Sequence, residues 1–102
     1  MLNAFIAHCH DAPAAGELRQ THLQKHLAYI ETIIDEVFVA GPQRPPADAT
    51  IMASLFIYRA ATLERAQELL ENDPYFKAGI YARVDWSEFN PAAGVWVGGK
   101  NW

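Results

Sequence analysis

Apolar residues recur in two rhythms along this chain, and the rhythm changes at clusters of polar residues, glycine or proline. Leu2 to Cys9 is a short apolar run in which Phe5, Ala7 and Cys9 alternate with their neighbours, which predicts a buried strand. His10 to Gly16 breaks that pattern and predicts a loop. From Glu17 to Glu36 the spacing becomes three and four. Leu23, Leu27, Ile30 and Ile34 fall on one helical stripe, widened by Leu18 and Ile33, and Thr21 would cap a helix that starts late. Val37 to Ala40 is β-branched and aromatic and predicts a second strand. Gly41-Pro42 is expected to end it, because proline cannot donate to a central ladder.

Gln43 to Thr50, with its Pro45-Pro46 pair, predicts a loop. Ile51 to Tyr58 alternates again, with Met52, Ser54, Phe56 and Tyr58 on one side and Ile51, Ala53, Leu55 and Ile57 on the other. Thr62 is a good N-cap for a helix over Leu63 to Glu71 that turns Leu63, Ala66, Leu69 and Leu70 inward. Arg65 stands where a capping box wants Glu, so no box forms. Asn72-Asp73-Pro74 stops that helix, Tyr75 to Gly79 connects, and Ile80 to Phe89 predicts a fourth strand.

The order is β-α-β-β-α-β. It predicts a ferredoxin-like α+β fold, an antiparallel four-stranded sheet with both helices on one face. Residues 1–90 make that domain and residues 91–102 a glycine-rich tail carrying Trp96 and Trp102. The strands are apolar on both faces, yet the helices cover one, so a second copy of the chain is expected on the other. The tail is expected to dock on that copy.

Composition narrows the function classes. One hundred and two residues suit one domain with a real core. The formal charge is −4 with no basic block, which argues against nucleic acid and anionic membranes. No apolar run approaches a membrane span, and the N-terminal run lacks the basic region of a signal peptide. A single cysteine, Cys9, excludes an internal disulfide and suits a reducing cytosol. Gly98-Gly99 lacks the strand-to-helix setting of a phosphate loop, so no cofactor is expected.

Three motifs carry a resemblance. His26-Leu27-Ala28-Tyr29-Ile30-Glu31, then Val39-Ala40-Gly41-Pro42, then Asp73-Pro74-Tyr75, resemble in order and spacing the YCII-related family, from the first strand to the fourth. The resemblance implies a dimeric α+β barrel with an active site around a histidine and an aspartate, roles that fall by position on His26 and Asp73. Many members carry an arginine a few residues before the histidine. Here Leu23 stands nearest that place and Arg19 lies a turn further back, so no arginine is assigned. One branch resembles a dehydrochlorinase acting on a chlorinated hydroxyquinol, which implies chemistry on a small aromatic.

Two function classes follow. One is a cofactor-free lyase or isomerase with His26 as general base or acid, Asp73 orienting it, and Tyr75, Phe5, Gly41 and Pro42 at the substrate. The other is a non-catalytic ligand-binding or accessory protein of the same fold. His22 and His26 stand at i and i+4, a spacing that suits zinc. With His10 placed beyond the end of the first strand, it and His8 are expected on opposite faces. No metal site is therefore assigned. Cys9 is expected to be a buried, inert thiol.

Overall fold

The computed structural model describes residues 3–100. Its main sheet has four antiparallel strands: β1 (Ala4–Asp11), β2 (Val37–Gln43), β3 (Ala53–Arg59) and β4 (Tyr81–Phe89), in the spatial order β2-β3-β1-β4. Helices α1 (Ala15–Thr32) and α2 (Leu63–Glu71) supply the two crossovers, and a short helix α3 (Pro74–Lys77) precedes β4. This is the ferredoxin-like α+β fold, with the helices on one face of the sheet. The core lies on that face. Phe5, Ala7, Cys9, Phe56 and Tyr58 point from the two central strands to Ala66, Leu69 and Leu70 of α2 and to Ile33 after α1. Thr62 caps α2 as expected, its hydroxyl accepting from the Arg65 N–H at 3.2 Å. Arg65 makes no capping box. Its guanidinium instead donates to both carboxylate oxygens of Glu36, at 2.8 and 2.9 Å.

Several boundaries move, each for a physical reason. β2 runs through Gly41-Pro42 to Gln43 rather than stopping at Ala40. It is an edge strand, where a proline without an N–H costs the ladder nothing on its solvent side. β1 runs on to Asp11, because His10 pairs with Ala53 of β3 and Arg83 of β4. His8 and His10 are therefore two apart on one strand and share a face, with ring centroids 4.3 Å apart, contrary to the expectation of opposite faces. Helix α1 starts at Ala15 and ends at Thr32, with a 3₁₀ turn over Ile34–Glu36. Thr21 is inside it, its hydroxyl donating to the Glu17 carbonyl at 3.0 Å. The connector after Asp73 holds the helical turn α3, capped by the Asp73 carboxylate.

β4 also breaks its alternation. The pairing passes from His10↔Arg83 to Asp11↔Tyr81, which leaves Ala82 as an extra residue. That bulge turns Tyr81 to the helix side, where Val84 and Trp86 already pack. The predicted stripe of α1 is not buried as a whole: Leu23, Leu27 and Ile34 are exposed. The helix packs more closely on α3 than on any strand, and a cleft opens between it and the sheet. Beyond the sheet, β5 (Ala93–Gly94) and β6 (Gly99–Lys100) form a small hairpin around Val95–Val97. Its turn uses Gly98 at φ 80°, a conformation open to glycine. Trp102, named above as part of the tail, lies outside the described residues.

Candidate active site

The cleft has a volume of about 360 Å³. Helix α1 gives it Arg19, Leu23, His26, Leu27 and Ile30, one face of the helix over about three turns. β2 closes the opposite wall with Ala40, Gly41 and Pro42, and the floor is Ser54, Phe56 and Tyr75. The lining is largely apolar with a few polar groups converging at one end, the usual make-up of a small-molecule site.

His26 and Asp73 meet at that end. The His26 Nδ1 lies 2.8 Å from one Asp73 carboxylate oxygen and 3.0 Å from the other. Asp73 is fully buried and reaches this position as the cap of α3, accepting from the Tyr75 N–H at 2.9 Å. The turn that stops α2 therefore also delivers the carboxylate. A carboxylate oxygen accepts, so Nδ1 is the donor of this bond and Nε2 is the ring nitrogen left for another partner. The ring is held on both sides. It stacks on Tyr75 with centroids 3.9 Å apart and planes 3° from parallel, and it meets the edge of Phe56. Burial beside Asp73 holds the Tyr75 phenol above its ordinary pKa even though Arg19 pulls the other way. Its hydroxyl donates to the Arg19 carbonyl at 3.0 Å.

Arg19, which the sequence left unassigned, is part of this wall. Its Nε and Nη2 donate to the two oxygens of Asp11 at 2.9 and 2.7 Å, and Nη2 also donates to the Ser54 hydroxyl at 2.9 Å. The guanidinium carbon lies 5.5 Å from the Tyr75 ring centre and 5.9 Å from that of Tyr81. The signal was present: Arg19 and His26 are seven residues apart, two helical turns, on the stripe that continues to Ile30. Phe5 is elsewhere. It pairs with Tyr58, one step along the sheet from Phe56, and is buried in the core instead of lining the cleft; Phe56 has the place expected of it.

Comparison with known proteins places this geometry in context. The YCII-related domain matches residues 3–90. The chain belongs to the YCII-related family. An uncharacterized protein of Haemophilus influenzae is 29% identical over 87 residues, covering 78% of this chain and 89% of that protein. Among solved structures, the 5-chloro-2-hydroxyhydroquinone dehydrochlorinase of Burkholderia phenoliruptrix AC1100, in complex with 2,5-dihydroxybenzoquinone, superposes with a TM-score of 0.78. It is 26% identical, and the match covers 90% of this chain and 96% of that one.

Proposed function

We propose that the chain is a small-molecule enzyme of the lyase or isomerase type, in which His26 and Asp73 carry a cofactor-free proton transfer or elimination. The observation behind this reading is the two-oxygen hold of a fully buried carboxylate on His26 Nδ1 at the polar end of an apolar cleft. In this scheme Nε2 takes a proton from a hydroxyl or carbon of the substrate. The electron pair left behind forms the new double bond, and a leaving group departs with its own pair. Asp73 keeps the ring in the tautomer and orientation that make Nε2 the base and stabilises the imidazolium that forms. Arg19 Nη1, the guanidinium nitrogen not engaged by Asp11 or Ser54, is the donor for a substrate oxygen. The kinship with a dehydrochlorinase of a chlorinated hydroxyhydroquinone favours a flat, oxygenated ring, which an apolar cleft with one polar end suits.

The test is turnover of chlorinated hydroxyquinols, muconolactones and related acids, with release of halide or change of ring absorbance as the signal. His26→Ala should abolish it, and Asp73→Asn should lower kcat by about 10²–10⁴-fold, because it leaves the general base in the wrong tautomer. Binding without turnover, unaffected by His26→Ala, would instead make this a ligand-binding protein of the same fold.

We further infer that the working unit is a homodimer. Ile6, Val39, Leu55 and Ile57 stand half-buried on the sheet face that the helices leave open. A second copy laid sheet to sheet would cover them.

A further inference from the structure

We propose that His8, His10 and Asp85, on the open face of the sheet, form a binding site for a divalent first-row transition metal, with zinc as the reference ion. The site is separate from the cleft, since Cys9, between the two histidines, points to the helix side. Register builds it. Asp85 of β4 pairs directly with His8 of β1, and His10 follows two residues on, so the three side chains rise from one patch of one face. One ligand atom from each lies within 4.8 Å of the other two. His10 Nε2 and the Asp85 carboxylate are already 2.9 Å apart. Around a tetrahedral zinc, neighbouring ligand atoms sit about 3.3 Å apart, a spacing that follows from bonds of about 2.0–2.1 Å. His10 and Asp85 already stand near that spacing, and His8 would complete the set from within 4.8 Å.

The second observation is His8 itself. Its Nε2 is buried and has no hydrogen-bond partner among the described residues. A buried ring nitrogen left unpaired is costly, and a metal ion is one group that would satisfy it. Two imidazoles and a carboxylate are the donor set that zinc and its neighbours favour, with positions left for water. One group opposes the ion. Arg83 Nη2 lies 3.2 Å from both His10 Nε2 and the Asp85 carboxylate, holding the place a cation would take. Its side chain is exposed in the chain by itself, so it can leave this place as the ion enters; in the sheet-to-sheet dimer inferred above the metal would lie at the face between the two copies. His22, whose spacing with His26 suggested zinc, has no part in this cluster.

The full-length chain is titrated with Zn²⁺ against a chromogenic chelator in a non-coordinating buffer. We expect one equivalent bound at micromolar concentration or tighter. His8→Gln, His10→Gln and Asp85→Asn should each weaken it by about tenfold or more. Arg83→Ala should tighten it several-fold, and His22→Gln should leave it unchanged. Co²⁺ should give visible ligand-field bands that the histidine variants lose. Asp85 lies on the exposed edge strand, so its variant reports even if a substitution on β1 fails to fold. Binding only at millimolar zinc, or an affinity indifferent to Asp85→Asn and to Arg83→Ala, would overturn the proposal.

Discussion

At the scale of single residues, the site rests on two buried pairs, the hydrogen-bonded His26 and Asp73 and the ion-paired Arg19 and Asp11. The first was legible through the family resemblance, which put the two roles on His26 and Asp73; the Asn72-Asp73-Pro74 stop alone reads as an ordinary turn. The second was not. Arg19 reads as the polar side of an amphipathic helix until the partner's place is known, and Asp11 reads as loop until the strand is seen to run through it. Both Arg19 and Asp11 side chains are about nine-tenths covered, so removing one partner strands the other. Arg19→Met should destabilise the fold by about 3–5 kcal/mol, as for other broken buried pairs. Pairing it with Asp11→Leu should recover much of that loss. Urea unfolding of the two variants decides it: a double variant as unstable as the single one would mean that the charge pair is not what Arg19 contributes.

At the scale of elements, the sequence named each strand of the main sheet and both long helices but missed the tail hairpin and misjudged which apolar residues are core. Leu23, Leu27 and Ile34 have the period of a buried stripe, yet they are exposed in the chain by itself. Period reveals that a face is apolar; it does not reveal whether protein or ligand covers it. Leu27, which lines the cleft, should therefore matter more to ligand than to fold. Leu27→Ser should cost about 1 kcal/mol or less in stability, since half the side chain is already in water. The same change should weaken ligand binding or raise KM several-fold. A stability loss of core size with unchanged KM would contradict that assignment. Phe5 is the converse case, a residue of strand alternation read as pocket and found in the core.

The helix-facing side of the sheet carries a pH dependence of its own. Burial pushes the Cys9 thiol from near 9 up to about 12, and the charge of Asp73 adds to it. Burial likewise raises the Tyr58 and Tyr81 phenols well above their ordinary range. Each group is thus held protonated more firmly in the folded chain than in the unfolded one. Their contribution to stability is whole below the unfolded values, near pH 9 for the thiol. It declines above that and is lost as pH rises through the folded values, at up to about 1.4 kcal/mol per pH unit for each group. Far-UV circular dichroism from pH 8 to 12 should show alkaline unfolding, and Tyr58→Phe should move its midpoint upward. Cys9 should resist thiol reagents at pH 8 until denaturant is added. An alkaline midpoint that ignores Tyr58→Phe would show that these buried acids do not set it.

At the scale of the whole molecule, the β-α-β-β-α-β order alone was enough for the architecture, because short connections and one-sided helices leave few other ways to arrange it. What the order cannot show is how the open face is covered. Val39 and Ile57 on that face, with Phe38 and Phe89 nearby, form an apolar groove of about 410 Å³ with Val95, Trp96 and Val97 of the tail hairpin. The groove does not hide the tail: Trp96 remains 77% exposed and Val95 89%. An indole left in water forgoes on the order of 2–3 kcal/mol that burial would supply. A second copy, sheet against sheet, would bring its surface against the same groove, so the tail should clasp the dimer rather than the chain it belongs to. Light scattering of the intact chain at micromolar concentration should give twice the chain mass. Removing residues 91–102 should leave a folded domain, because the core cluster contains none of the described residues of that stretch, and should shift the dimer toward monomer. A deletion that associates as tightly as the intact chain would return the tail to its own subunit, and an intact chain that stays monomeric would remove the dimer as well.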